Sequence, residues 1–184
     1  MIVIINDTSI LVDLVKLKLL DTFFSLNFEF YITNFILDEI FPPEKKSLQF
    51  FIDQKKLLIR KIVGNEHEII ENLNKIKPRI SKGDYSIFYL AQHLKSTTSK
   101  NAILLTSDKE LRRFSEENSI EVHGHLWVFD QMVENNILTP KTASEKLHQL
   151  SSEINKGLYL PIKECESRKK KWTEMTNRNQ PEIK

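Results

Sequence analysis

Four acidic residues carry the strongest chemical signal in this sequence: Asp7, Glu39, Asp84 and Asp108. Asp7 and Asp108 each follow a strand-like run, Asp84 lies near the start of a helix-like segment, and Glu39 lies six residues past the second strand, in the helix that begins near Thr33. The carboxyl ends of parallel strands share one edge of a sheet. Carboxylates brought close together repel each other, which raises their pKa values unless cations neutralise them. Mg²⁺ and Mn²⁺ prefer oxygen ligands and support phosphodiester hydrolysis. The four acids therefore indicate a metal-dependent hydrolytic site.

Each of these acids also has an ordinary structural explanation. Asp7 and Asp108 could be helix N-caps, and Asp84 fits the fourth position of a capping box opened by Ser81. Glu39 could be a solvated helix residue. Their joint pattern, rather than any one of them, favours the catalytic interpretation.

Strand-like and helix-like segments alternate along most of the chain. Apolar or alternating runs predict strands near residues 2–5, 28–32, 57–63, 102–105 and 120–122. The segments between them repeat apolar residues at helical spacing, and two further helices are predicted near 126–135 and 140–150. This pattern predicts an α/β fold with a parallel sheet of four to five strands flanked by helices in three layers, α/β/α.

Composition limits the class of protein. The chain has 184 residues, of which 40% are hydrophobic and 28% charged. We expect one domain over residues 1–160 and a basic tail over 161–184. The tail contains seven basic and four acidic residues. Because no signal peptide or membrane span is recognisable and Cys165 is the only cysteine, we expect a cytoplasmic protein that does not contact membranes.

Four short motifs in the same order resemble those of the PIN domains, a family of metal-dependent ribonucleases that includes the VapC-type toxins. The motifs run from Ile4 to Ser9, from Thr33 to Glu39, from Gly83 to Ala91 and from Leu104 to Leu111. Their order and placement fit the family from residue 2 to about residue 125, and residues 122–139 resemble the C-terminal region of one PIN subgroup.

The resemblance implies roles for particular residues. Asp7, Glu39, Asp84 and Asp108 would be the catalytic, metal-binding acids, and Thr8, Ser9, Thr106 or Ser107 would support these acids or contact the phosphate of the substrate. Asp38 lies about 100° from Glu39 around a helix, so we expect only Glu39 to face the site. The family implies an RNA substrate, Mg²⁺ or Mn²⁺ as the cofactor, a protein antitoxin as a possible partner, and a homodimer.

The basic tail is a second candidate RNA-binding element. Its residues Arg168, Lys169 and Lys170 could contact phosphates, and Trp172 could stack on a base. The alternative is a solvated tail or helix face, with too few apolar residues to belong firmly to the core.

Other catalytic patterns are weaker. His123 and His125 lack further ligands at suitable spacing and are better explained as a turn at a strand end. The sequence contains neither the GxGxxG motif of dinucleotide-binding enzymes nor the GxxxxGK(S/T) motif of P-loop enzymes. Asp7-Thr8-Ser9 also lacks the second acid that haloacid-dehalogenase-like phosphatases carry two residues after the first. The leading hypothesis is a metal-dependent endoribonuclease that acts as the toxin of a type II toxin–antitoxin pair. The alternative is a catalytically inactive PIN-like scaffold that binds RNA or protein.

Overall fold

The centre of the fold is a five-stranded parallel sheet. The computed structural model of the chain describes residues 2–98, 100–154 and 160–178. Strands β1 to β5 span Ile2–Asn6, Glu29–Thr33, Leu57–Arg60, Asn101–Leu105 and Glu121–His123. Their order across the sheet is β3-β2-β1-β4-β5, and all neighbouring strands are parallel. The predicted α/β fold, with its parallel sheet of four to five strands, is confirmed.

Ten α-helices are described within these residues. Helices α1 to α10 span Thr8–Leu17, Leu20–Phe23, Asn34–Glu39, Pro42–Asp53, Asn65–Ile76, Lys82–Thr97, Lys109–Glu117, His125–Glu134, Pro140–Gln149 and Ile162–Arg178. A π-helical turn, Leu150–Ile154, follows α9. The proline pair Pro42-Pro43 lies just beyond the end of α3 at Glu39. It begins α4, because proline is accepted in the first turn, where no intrahelical N–H bond is lost.

The helices form a layer on each face of the sheet, as predicted. Helix α6 packs against β1, β2 and β4 and contacts α3, α5 and α7. Helix α1 contacts α2 and α4, and α2 contacts α8. The apolar residues of the inner strands and of α6 account for much of the core, since Val3, Ile4, Ile5 and Leu104 are fully buried.

Strands β1 and β4 lie side by side where the winding of the sheet reverses direction. From β1 the chain first builds β2 and β3 on one side, and then crosses to build β4 and β5 on the other. The backbone N–H of Asp7 donates to the carbonyl oxygen of Leu105 at 3.0 Å, which joins the ends of the two strands. A crevice at the carboxyl ends of such strands is the usual ligand site of open α/β sheets.

The basic tail is part of the folded body as far as residue 178. Helix α10 packs against α8 and α9, and Trp172 is fully buried. Trp172 Nε1 donates to Asp130 Oδ1 at 3.2 Å, and Arg168 Nε donates to Asp130 Oδ2 at 2.7 Å. The expectation that this segment lies outside the core is therefore wrong for the residues described. The division at residue 160 stays a prediction, and residues 179–184 lie outside the described part of the chain.

The position of Trp172 also corrects its expected role. A fully buried indole that donates its N–H to a carboxylate has no free face on which a base could stack. The spacing of Cys165, Arg168, Trp172 and Met175 follows one face of a helix, and this stripe is the sequence signal for the docking of α10.

Replacing Trp172 by alanine tests this docking. We expect Trp172→Ala to lower the free energy of unfolding by about 3–5 kcal/mol, because a large buried side chain and its hydrogen bond are lost. Lys170→Ala on the same helix removes an exposed side chain and should change it by less than about 0.5 kcal/mol. Denaturant unfolding measures both values. Equal midpoints for the two variants would contradict the docking of α10.

Candidate active site

All four acids predicted from the sequence line one cavity at the carboxyl edge of the sheet. This cavity, called here the acid pocket, has a volume of about 670 Å³ and is lined by residues that include Asp7, Glu39, Asp84 and Asp108. Thr8, Ser9 and Ser107, three of the predicted substrate-contacting residues, also line it. Segments that are distant in sequence thus meet at the crevice beside β1 and β4.

Asp7 lies at the base of this arrangement. Its side chain is 7% exposed, and its Oδ2 accepts hydrogen bonds from Ser9 Oγ and Thr106 Oγ1, both at 2.8 Å. Burial raises the pKa of this carboxyl above its ordinary value, although these hydrogen bonds oppose the shift. Asp7 stands at the N-cap position of α1, but its side chain makes no capping hydrogen bond. The backbone N–H groups of Thr8 and Ser9 still lower its pKa, so the start of α1 accounts for part of the environment of Asp7 but not for its burial.

Glu39 reaches the pocket from the end of α3. Thr33 Oγ1 caps the start of this helix and lies 2.6 Å from Ser86 Oγ of α6, so α3 is fixed against α6. Glu39 Oε2 accepts a hydrogen bond from Thr8 Oγ1 at 3.1 Å. Burial and the charge of Asp7 raise the pKa of Glu39. The neighbouring Asp38 is exposed and lies 3.8 Å from Lys45, away from the pocket lining.

The carboxyl group of Glu39 rests on the backbone of Gly83. A β-carbon added at Gly83 would lie 2.7 Å from Glu39 Cδ, a distance that real atoms do not tolerate. The missing side chain of Gly83 thus makes room for Glu39 beside Asp84. A residue with a side chain at this position would require the flexible end of Glu39 to shift.

Asp84 combines a capping role with an unusual ionisation. Its carboxylate accepts from the backbone N–H of Ser81 at 3.2 Å, and its own N–H donates to Ser81 Oγ at 3.0 Å, which forms the predicted capping box. Burial, with the charges of Asp7 and Asp108, raises the pKa of Asp84 to about 7. A surface cap would not show this, so Asp84 experiences the electrostatic field of the pocket.

Asp108 is the most ordinary of the four acids. It is exposed, and its Oδ1 accepts a hydrogen bond from the Leu111 N–H at 2.7 Å as the N-cap of α7. Thr106 Oγ1, which donates to Asp7, also accepts from the Asp108 N–H at 3.0 Å. Ser107 Oγ donates to Ser9 Oγ at 2.8 Å and ties the two loops together. The hydroxyl groups thus hold the site in shape, while their contact with a substrate stays a prediction.

The donor set fits a hard divalent cation in its chemistry, since it consists of carboxylate and hydroxyl oxygens. Among the described residues, however, no three acids, histidines or cysteines stand close enough together to hold a metal ion. Each of the four carboxylates instead accepts a hydrogen bond from a hydroxyl or backbone N–H group. In the same part of the chain none of the four forms a salt bridge. Rotation of side chains would be needed to gather them around an ion.

Several residues of the pocket escaped the sequence analysis. Asp13 and Lys16 lie on the face of α1 that follows Asp7, and Phe41 and Glu44 extend the lining at the start of α4. The helical spacing of Ser9, Asp13 and Lys16 is the signal that could have found the first two. Asp13 Oδ2 lies 3.0 Å from Nε2 of the buried His125. His123 is the last residue of β5 and the buried His125 is the first residue of α8, so the two histidines flank the link at Gly124 rather than forming a turn.

Comparison with known proteins identifies the family. A family model described as a PIN domain matches residues 3–174. The chain belongs to the PIN domain family. This match extends through most of α10 and supports a nuclease fold, and hence a hydrolase at a coarse level. No curated protein and no solved structure matches the chain. None of the described helices of this PIN domain is both long and apolar enough to cross a membrane.

The raised pKa of Asp84 predicts how stability depends on pH in metal-free buffer. The folded state favours protonated Asp84, with a pKa of about 7 against an ordinary value of 3.8. This contribution to stability is therefore complete below about pH 4 and is lost as the pH rises through about 7. The raised pKa values of Asp7 and Glu39 act in the same direction. We expect Asp84→Asn to flatten this decline and to raise the melting temperature at pH 8.

Thermal unfolding in EDTA between pH 4 and pH 8 measures this effect. Asp21→Asn, which changes an exposed acid outside the acid pocket, should keep the wild-type profile. A profile for Asp84→Asn that also follows the wild type would contradict the electrostatic coupling within the pocket.

Proposed function

We propose that this PIN domain is a Mg²⁺- or Mn²⁺-dependent endoribonuclease that hydrolyses RNA phosphodiester bonds. The observation that carries the proposal is Asp7, a buried carboxylate that caps no helix and lies among three further acids at the crevice between β1 and β4. Burial of a carboxylate that has no cationic partner lowers the stability of the protein, and a bound cation would offset that cost. Membership of a family with a nuclease fold adds to this support.

The four acids would divide the work according to their surroundings. Asp7 is held by two hydroxyl groups and would be the fixed ligand of the ion. Glu39, Asp84 and Asp108 would leave their present hydrogen bonds and turn towards it. Because Asp84 titrates near pH 7, ion binding would release its proton. When bound, the ion would polarise the scissile phosphate and the attacking water.

The surroundings of the acids suit a nucleic-acid substrate. Thr8, Ser9, Thr106 and Ser107 would orient the phosphate through their hydroxyl groups. Lys16 lies on the exposed rim of the acid pocket and supplies a positive charge there. Phe41 lines the same pocket with 76% of its surface exposed, so its ring is open to a base or to a partner protein.

The finer part of the proposal is biological. We infer that this nuclease is the toxin of a type II toxin–antitoxin pair, acts on RNA in the cytoplasm, forms a homodimer and is inhibited by a protein antitoxin that covers the acid pocket. This part follows from the resemblance of the four motifs to VapC-type toxins. The exposed Phe41 at the rim supports it as a contact for such a partner.

A second candidate function is supported by one set of observations. Asp84 and Asp108 form the caps that a purely structural role requires, and no cluster of metal ligands is preformed among the described residues. This favours a PIN-like scaffold that binds RNA or protein without cleaving it. The uncapped Asp7 and the raised pKa of Asp84 favour the nuclease.

Matched substitutions at Asp7 and at two neighbouring residues of α3 separate the two functions. With Mn²⁺ and single-stranded RNA, we expect cleavage by the wild type and a loss of at least about a hundredfold in Asp7→Asn and Glu39→Gln, because each removes a charged ligand. Asp38→Asn, a change next to Glu39 on an exposed side chain, should retain wild-type activity. Expression of the wild type in bacteria should arrest growth, and Asp7→Asn should relieve the arrest.

Unfolding of the variant is not expected to cause the loss of RNA cleavage in Asp7→Asn. Asp7→Asn replaces a carboxyl group whose ionisation is opposed by burial with a neutral amide. This variant should therefore be at least as stable as the wild type at pH 7. Thermal unfolding provides this control. If no RNA is cleaved by the wild type, or if Asp7→Asn and Glu39→Gln cleave as fast as Asp38→Asn, the scaffold function replaces the nuclease.

A further inference from the structure

A second cavity adjoins the acid pocket on the side of β5. It has a volume of about 420 Å³, and we call it the basic cavity after three of its lining residues, Lys109, Arg112 and Arg168. Its volume lies within the range of sites that hold small ligands, about 300–1,000 Å³. Leu160, Pro161 and Arg168 contribute one wall, so the segment leading into α10 and the helix itself complete this cavity.

The two cavities meet at identifiable residues. Ser107 lines both of them, and Thr106, which donates to Asp7, lines the basic cavity. The pair formed by Asp13 and His125 also joins them, because Asp13 lines the acid pocket and His125 lines the basic cavity. The two cavities therefore adjoin at Ser107, and the buried pair of Asp13 and His125 lies between them.

The two cavities carry opposite charges. The acid pocket is lined by six acids and one lysine, whereas the basic cavity is lined by three cationic side chains and a single acid, Glu164. Arg112 donates to two neutral partners, the carbonyl oxygens of Val122 at 3.1 Å and Thr106 at 3.2 Å. These bonds fix the guanidinium without cancelling its charge, although Glu116 lies 3.7 Å away. Cationic side chains of this kind contact phosphate groups in nucleic-acid complexes. Here the acids Glu116, Asp130 and Glu164 also pair with the two arginines, so the cavity offers N–H donors more than net positive charge.

The position of Arg168 is fixed from the opposite wall. Its Nε donates to Asp130 at 2.7 Å and its Nη1 donates to Glu164 at 3.2 Å, which leaves further guanidinium N–H groups for a ligand. Lys169 and Lys170, the other basic residues proposed from the sequence, do not line the basic cavity. Of the tail residues that were expected to bind substrate, Arg168 is the one that lines the basic cavity.

Aromatic rings complete the cavity. His123 and Trp127 line it, and Trp127 is stacked between His123, with ring centroids 4.8 Å apart, and Phe28, with ring centroids 6.0 Å apart. The half-exposed ring of His123 is therefore the one that a base can contact. Bases of single-stranded nucleic acids stack on such rings without regard to sequence. Gly124 and His125 at the start of α8 also line the cavity, and no side chain caps this helix, so its first N–H groups favour an anion.

We propose that the basic cavity binds one nucleotide of single-stranded RNA next to the phosphate positioned in the acid pocket. The proposal rests on the nuclease function for its substrate and adds the site that holds the flanking nucleotide. The phosphate lies against Lys109, Arg112 and Arg168, and the base lies against the ring of His123, with Trp127 behind it. The C-terminal helix thus serves RNA binding as a wall of the cavity, through Arg168.

Binding measured without metal tests this proposal independently of cleavage. A fluorescein-labelled single-stranded RNA decamer is titrated with the full chain in EDTA, and anisotropy gives Kd. We expect Lys109→Gln to raise Kd about five- to tenfold and to lower the slope of log Kd against log salt by about one. Arg113→Gln removes the same charge from the same helix outside the basic cavity and should raise Kd less than twofold.

Tryptophan fluorescence provides a second readout. Trp127 lines the basic cavity and Trp172, the other tryptophan, is buried, so RNA should quench the emission of the wild type and should fail to do so in Trp127→Phe. Equal Kd values for Lys109→Gln and Arg113→Gln, or emission that RNA does not quench, would overturn the proposal.

The outcome is distinguishable from failure of the nuclease function. If the wild type cleaves RNA, Lys109→Gln should raise KM with little change in kcat, and an unchanged KM would overturn this proposal alone. If no RNA is cleaved but Kd and quenching respond as expected, the cavity is a nucleotide-binding site and only the nuclease function fails.

Discussion

The buried carboxylate of Asp7 is the constraint on which the rest of the site depends. It lies where β1 and β4 end side by side, 7% exposed and without a salt bridge among the described residues. Such a group is costly because burial opposes its ionisation and the nearby acids repel its charge. The fold keeps it in place with hydroxyl groups on both strand ends, Ser9 and Thr106, rather than with a cation from the chain.

The neighbouring acids share this cost in different ways. Glu39 lies against Gly83, which has no side chain to displace it, and burial together with the charges of Asp7 and Asp108 raises the pKa of Asp84 to about 7. Thr33 and Ser86 hold α3 against α6, which keeps Glu39 and Asp84 on the same side of the crevice. Stability and function are thus opposed: the arrangement that weakens the metal-free protein at high pH is the one that suits a divalent cation.

The fold and the location of the acids could be predicted from the sequence because both depend on local patterns. Apolar runs followed by polar corners defined the strands and their carboxyl ends, and Ser81 and Asp84 defined a capping box that the structure contains.

The docking of Trp172 could not be foreseen from composition, since its partners Asp130 and Phe129 come from α8, about forty residues earlier. The basic cavity was missed for the same reason, because its walls combine β5, α7, α8 and the segment before α10. The charge run in the tail indicated an RNA-binding element, but only tertiary packing decides that Arg168 faces the cavity while Trp172 belongs to the core.

A crystal structure of the wild type soaked in Mn²⁺ tests, through anomalous diffraction, whether the four acids gather around a divalent cation at Asp7. We expect an anomalous peak in the acid pocket with Asp7 as a ligand and with Glu39, Asp84 or Asp108 turned away from its present hydrogen bond. A pocket without a peak at millimolar Mn²⁺, in which Asp84 and Asp108 still cap their helices, would contradict this expectation.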